Sequence, residues 1–272
     1  MEFIKYHGLG NDFVFVEDFA EETVQNGPSL APAVCDRNFG VGADGLVYIT
    51  QPAGIYTMRI FNSDGSEAEM CGNAIRCLAK HLWDGGLVNG MSVDVGTLEG
   101  TKHIVRHGVD YTVDMGEPQW TAQKIPIRVS SSEAIETPVS LGDLEFVVTA
   151  VSMGNPHAVI LVEDLDEIPF GDWGPLLESH EVFPAKSNIE FVQVLDAATI
   201  RVKVWERGVG PTLACGTGAC ASVAATARLG LTGRSVNVEL PGGTLFIQWK
   251  DDNHLWMTGP AQRVFRGRWE LV

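Results

Sequence analysis

Short apolar runs broken by glycine and polar turns dominate the chain. In the first half, residues 3–7, 13–16, 46–49 and 56–61 read as strands, followed by one helix and then strands at 92–95, 102–105 and 111–115. The second half repeats this rhythm. Its helix is distinctive: Gly218-Ala219-Cys220-Ala221-Ser222-Val223-Ala224-Ala225-Thr226-Ala227 carries small residues on every face and no charge before Arg228. Such a segment is expected to be buried all round, inside a tightly wrapped sheet. The helix after Cys71 carries Arg76 and Lys80, which predict a solvent-facing side.

The repetition is literal enough to align. A shift of 144 residues lays Gly10-Asn11-Asp12-Phe13 on Gly154-Asn155-Pro156-His157, and Arg59-Ile60-Phe61-Asn62 on Lys203-Val204-Trp205-Glu206. The same shift lays Cys71-Gly72-Asn73 on Cys215-Gly216-Thr217 and Asp44 on Asn188. Val93-Asp94-Val95 matches Val236-Asn237-Val238 once the shift drops by one. A constant offset over so many features predicts two similar domains from a duplication, related by pseudo-two-fold symmetry. The first is expected over 1–118, the second over 144–260, with 119–143 as the connection and the tail 261–272 packing back on the first domain. The fold class expected is α+β (α/β two-domain), each domain a strongly curved sheet or barrel around a central helix.

Among 272 residues, 35 are acidic and 19 basic, giving a formal charge of −16 that leaves no basic patch for nucleic acid or anionic membranes. No apolar run reaches membrane-spanning length, and Met1-Glu2-Phe3-Ile4-Lys5-Tyr6 lacks the basic-then-apolar build of a secretory signal, so a cytoplasmic location is expected. Five cysteines are then free thiols rather than a disulfide framework. Their spacings do not suit a metal site, and no cofactor is expected. Gly40-Val41-Gly42-Ala43-Asp44-Gly45 fits the dinucleotide fingerprint in letters only, because a strand-like run follows it where a helix is required.

Cys71 and Cys215 each precede a helix start, where backbone N–H groups and the helix dipole favour a thiolate. One such residue suggests a nucleophile. Two at equivalent positions suggest a pair in which one thiolate takes a proton from a carbon and the other thiol returns one to the opposite face. Two helix N-termini would also stabilise charge on a carboxylate beside that carbon, with Gly72 and Gly216 allowing close approach.

The blocks K-Y-H-G-L-G-N-D from Lys5, M-C-G-N-A-I-R-C from Met70, M-G-N-P-H from Met153, Glu206-Arg207-Gly208 and A-C-G-T-G-A from Ala214, with Asn62, Asp64-Gly65 and Ser187-Asn188, resemble the diaminopimelate epimerase family. The resemblance runs in order over nearly the whole chain. It implies a cofactor-independent epimerase interconverting LL- and meso-diaminopimelate, with the active site in the cleft between two similar domains, and a homodimer. It implies Cys71 and Cys215 as the acid/base pair, and Gly72, Asn73, Gly216 and Thr217 at the reacting carboxylate. Asn11, Asn62, Asn155, Asn188, Glu206 and Arg207 would read the distal amino-acid end, and His157 and Glu206 would adjust thiol protonation. Some family members have glutamine where this chain has Gly45, so no contact is carried over there.

Plainer readings stand beside these. Cys35, Cys77 and Cys220 read as buried structural thiols, and Lys5 and His7 as strand residues. Asn62 could make a turn, as could Asn11 and Asn155 beside glycine, and His157 could be an interior histidine. A proline or hydroxyproline racemase would use the same cysteines, but would have no second polar end for the asparagines and Glu206-Arg207 to read. A non-catalytic amino-acid binding protein would have no use for paired thiols.

Overall fold

A computed structural model describes residues 1–270. The chain divides into two compact units, residues 1–113 with those from 259 onward, and residues 114–258. Leu271 and Val272, at the end of the expected tail, lie outside the described residues.

In the first unit, Glu2–Gly8 pairs antiparallel with both Asn11–Glu17 and Gln262–Arg268. Asn11–Glu17 runs parallel to Gly45–Thr50, which pairs antiparallel with Thr57–Asn62. Ser92–Thr97, Gly100–His107 and Asp110–Asp114 continue as an antiparallel meander, joined to Thr57–Asn62 through Thr57 and Gly96. Two α-helices lie among the described residues of this unit, α1 (Gly27–Cys35) and α2 (Gly72–Asp84). Eleven of the thirteen residues of α2 are buried, leaving Lys80 and Asp84. Central helices of this kind sit where the curved sheet supplies apolar surface on most sides.

The second unit repeats the plan. Leu144–Ser152 pairs antiparallel with Thr137–Leu141 and Pro156–Leu161; Pro156–Leu161 runs parallel to Asn188–Asp196, which pairs antiparallel with Thr199–Glu206. Ser235–Leu240, Gly243–Trp249 and Leu255–Gly259 close the order. Its helices are α3 (Phe170–Glu178) and α4 (Gly216–Arg228). Helices α2 and α4 both have thirteen residues and begin one residue after the matched cysteines. The fold is thus sheet-dominated α+β, with two pseudo-symmetric halves, each built around one buried helix. Residues 119–143 belong to the second unit, where Ile125, Ile127 and Val139 join its core.

Two details depart from the sequence pattern. Arg76 does not give α2 a wet side: it is fully buried, donating from Nη1 to Gly72 O at 2.9 Å, from Nη2 to Asn73 Oδ1 at 2.8 Å and from Nε to Pro260 O at 3.2 Å. Carbonyl and amide acceptors replace the water a guanidinium would otherwise need. Helices α1 and α3 carry Pro32 and Pro175 inside them, so their sequences read as breakers. Tertiary packing outweighs that cost in α3, where Trp173 meets Phe146 with ring centroids 5.0 Å apart, and Phe170 meets Trp205 at 5.8 Å. Gly174 makes this fit possible, since a Cβ there would stand 2.5 Å from the Trp205 ring.

Among the described residues, no helix is long and apolar enough to cross a membrane.

Candidate active site

In the first unit Cys71 is the N-cap of α2, with extended backbone at φ −141 and ψ 119. That conformation turns the side chain out of the helix, and its thiol donates to Asn11 Oδ1 at 3.8 Å. Asn11 Oδ1 also accepts from Asn73 Nδ2 at 3.1 Å. The other end of the Asn11 amide donates to Asp44 Oδ2 at 2.7 Å, and the Asp12 N–H reaches the same oxygen at 3.0 Å. Arg37 bridges Asp12 and Asp44, while Lys5 pairs with Asp12 at 2.5 Å. Burial resists charge on Asp12, but the hydrogen bonds from Arg37 and Lys5 outweigh it and hold the carboxyl below its usual range. Lys5, a residue of strand Glu2–Gly8 as expected, thus joins this network through Asp12. Asn62 ends its strand opposite Gly45 and opens a turn closed by Asn62 N to Ser66 O at 2.8 Å; its Nδ2 donates to Ser66 Oγ at 3.0 Å.

In the second unit Cys215 is the N-cap of α4, again extended, at φ −119 and ψ 113. Its sulfur accepts from Gly218 N at 3.4 Å and lies 3.5 Å from Thr217 Oγ1. Asn155 Nδ2 reaches Thr217 Oγ1 at 3.5 Å, and Asn155 Oδ1 meets His157 Nε2 at 2.9 Å. The asparagine thus touches the first turn of the cysteine helix in both units, Asn11 through Asn73 and Asn155 through Thr217. Glu206 Oε1 accepts from Thr212 Oγ1 at 2.5 Å. The Asn188 amide is engaged by backbone at both ends, donating to Pro156 O at 2.7 Å and accepting from Arg207 N at 2.9 Å. Arg207 itself is exposed and donates from Nη1 to Ala185 O at 3.3 Å.

Electrostatics correct one expectation from sequence. Burial, followed by the charges of Glu206 and Glu190, pushes the Cys215 thiol well above its ordinary range; the Thr217 and Gly218 hydrogen bonds only partly oppose this. Cys215 therefore rests as a protonated thiol, because the helix-start N–H groups lose to desolvation and two carboxylates. Burial also pushes the Glu206 carboxyl up, against hydrogen bonds from Thr212 and Cys215 and the nearby His157. Cys35 and Cys77 are buried, with thiols pushed up to about 11 and about 12. Glu190 belongs to this cluster and was missed within the apolar run 189–194; the signal was available, because the 144-residue shift places it on Leu46, a core position.

The model of the diaminopimelate epimerase family matches residues 3–121 and 149–264. A diaminopimelate epimerase from Pelotomaculum thermopropionicum is 49% identical over 99% of both chains, and one from Desulforudis audaxviator is 50% identical, again over 99% of both. A solved structure of a probable proline racemase from Agrobacterium radiobacter superposes with a TM-score of 0.71 at 13% identity, covering 100% of this chain and 93% of the other. That last likeness concerns the fold alone. Matches to both units, and relatives half identical from end to end, establish that the chain belongs to the diaminopimelate epimerase family.

Proposed function

We propose that the protein is an isomerase that interconverts LL- and meso-2,6-diaminopimelate by two-base proton transfer at one α-carbon, a step toward lysine and peptidoglycan. The observation that carries this reading is the pair of N-cap cysteines on equivalent thirteen-residue helices, in a chain of this family. Cys71, as thiolate, removes the α-proton; the C–H electron pair remains on the α-carbon and spreads onto its carboxylate. Cys215 gives its thiol proton to the opposite face and becomes the thiolate. In the reverse direction the two exchange roles, as microscopic reversibility requires.

The carboxylate would lie against the helix starts at Gly72-Asn73 and Gly216-Thr217, where free N–H groups stabilise the growing negative charge. Asn11, Asn62, Asn155, Asn188, Glu206 and Arg207 would bind the distal amino-acid end. Asparagine amides can donate to a carboxylate and accept from an ammonium, and a guanidinium can fork onto a carboxylate. His157 and Glu206 would set thiol protonation. The working protein would be a cytoplasmic homodimer, requiring no cofactor.

Turnover in deuterated water tests the reading. Diaminopimelate should gain deuterium at one α-carbon as its configuration inverts, whereas exchange into proline but not diaminopimelate would assign a proline racemase. Binding of diaminopimelate without exchange would indicate a binding protein.

A further inference from the structure

His157 Nδ1 and Glu190 Oε1 stand 2.7 Å apart, and both side chains are fully buried. Among the described residues, the second carboxylate oxygen of Glu190, Oε2, is buried without a hydrogen-bond partner. Burying such a pair is costly, and replacing one by apolar side chains of similar size is often neutral or stabilising. The chain contains that replacement already. Under the 144-residue shift, His157 falls on Phe13 and Glu190 on Leu46, which are 3% and 0% exposed in the first unit. The same architecture therefore accepts an apolar pair at these positions, and the polar pair in the second unit needs another reason.

Its placement supplies one. The two residues lie on neighbouring parallel strands, Pro156–Leu161 and Asn188–Asp196. A Cβ built on Gly218 would be 2.9 Å from Glu190 Oε1 and 3.3 Å from Cys215 Sγ, so the carboxylate and the thiol lie against the same first turn of α4. From the other side of the ring, His157 Nε2 meets Asn155, which leads through Thr217 to Cys215.

We propose that Glu190 is a positioning residue for the epimerisation: by accepting the proton on His157 Nδ1, it fixes the ring with Nε2 turned toward Asn155 and the Cys215 end of α4. The proposal rests on the reaction assigned above. With Nδ1 tied to the carboxylate, Nε2 is the ring atom left to face Asn155 and, through it, the Cys215 end of α4. The Asn155 amide can meet Nε2 through either end, by turning its oxygen or its nitrogen to the ring. Of the titratable groups, Glu190 on strand Asn188–Asp196 pairs with the ring and Glu206 on strand Thr199–Glu206 acts on it through charge, while Cys215 at the cap of α4 faces those two carboxylates.

The test combines nitrogen-15 spectra of the histidine rings with two substitutions. The His157 signals, identified by their loss in His157→Gln, should show Nδ1 protonated in the unsubstituted protein. Glu190→Leu, which copies the first unit, should fold, lose that preference and lower kcat about tenfold or more with little change in KM. Glu190→Gln keeps an acceptor for Nδ1–H and should recover the ring state and much of the turnover, with a shifted pH profile. A neutral His157 carrying its proton on Nε2 in the unsubstituted protein would overturn the proposal. So would Glu190→Leu turnover within about twofold of the parent. Should Glu190→Leu fail to fold, the ring spectra and Glu190→Gln still decide. Loss of the reaction reading would be seen separately, as an unsubstituted protein that exchanges no α-proton of diaminopimelate while the ring spectra remain readable.

Discussion

The Gly218 N–H points at the Cys215 sulfur from 3.4 Å, yet the sulfur keeps its proton. The Thr217 and Gly218 hydrogen bonds favour the thiolate. Burial and the charges of Glu206 and Glu190 oppose it and prevail. In a Cys71→Ala background, alkylation of Cys215 by a small reagent should stay slow through neutral pH and rise only well above the range of an ordinary thiol. Glu206→Gln removes one of the opposing carboxylates and should move that rise to lower pH. Fast Cys215 alkylation near pH 7 would contradict the electrostatic account.

Each cysteine should be indispensable to turnover and dispensable to folding. Cys71→Ala and Cys215→Ala each remove one partner of a two-base transfer, so the epimerisation rate should fall by about 10²-fold or more. Cys71 is partly exposed and Cys215 buried, but each is a cap residue rather than part of a packed helix face. Circular dichroism should be unchanged. A single variant with near-parental turnover would refute the two-base mechanism.

Asp44 anchors Asn11 and the backbone of Asp12 through one carboxylate oxygen. Asp44→Ala frees the Asn11 amide and should raise KM about tenfold while leaving the fold in place. The neighbouring Asp12 has its carboxyl held below the usual range, so the unfolded state binds its proton first as pH falls. The stability it contributes is present above about pH 4 and is lost as pH drops through its lower folded value. Urea midpoints measured from pH 6 down to pH 3 should therefore fall less steeply in Asp12→Asn than in the parent.

Arg76 is the buried tie between α2 and the chain at Pro260. Arg76→Met preserves much of the volume but leaves three carbonyl or amide oxygens with fewer donors, and should lower stability by about 3 kcal/mol. Asn73 loses a donor to its Oδ1, so turnover should fall as well. Denaturant melts together with the deuterium assay separate the two effects. Unchanged stability would show that Arg76 is not the tie its bonds suggest.

The duplication was legible because it is a one-dimensional fact: Cys71 and Cys215, Asn11 and Asn155, and Asp44 and Asn188 keep one spacing. Strand and helix positions followed from local alternation and from the small-residue run at 218–227. Helices α1 and α3 were not legible, since Pro32 and Pro175 argue locally against helix and only aromatic packing in the folded state reverses that for α3. Arg76 was misread for a similar reason, because a charged residue predicts water until three oxygens are found around it.

By itself, the sequence determined the two halves, the matched cysteines at helix starts and the family that carries them. Those follow from spacing and local pattern, which do not depend on what lies across space. Only the tertiary structure decided that Cys215 rests protonated, that both ends of the Asn188 amide are engaged with backbone and that Glu190 reaches His157. Protonation and hydrogen bonding depend on burial and on partners distant in sequence, 33 residues apart for His157 and Glu190 and 62 for Asn155 and Thr217, and those meet only once the strands have paired.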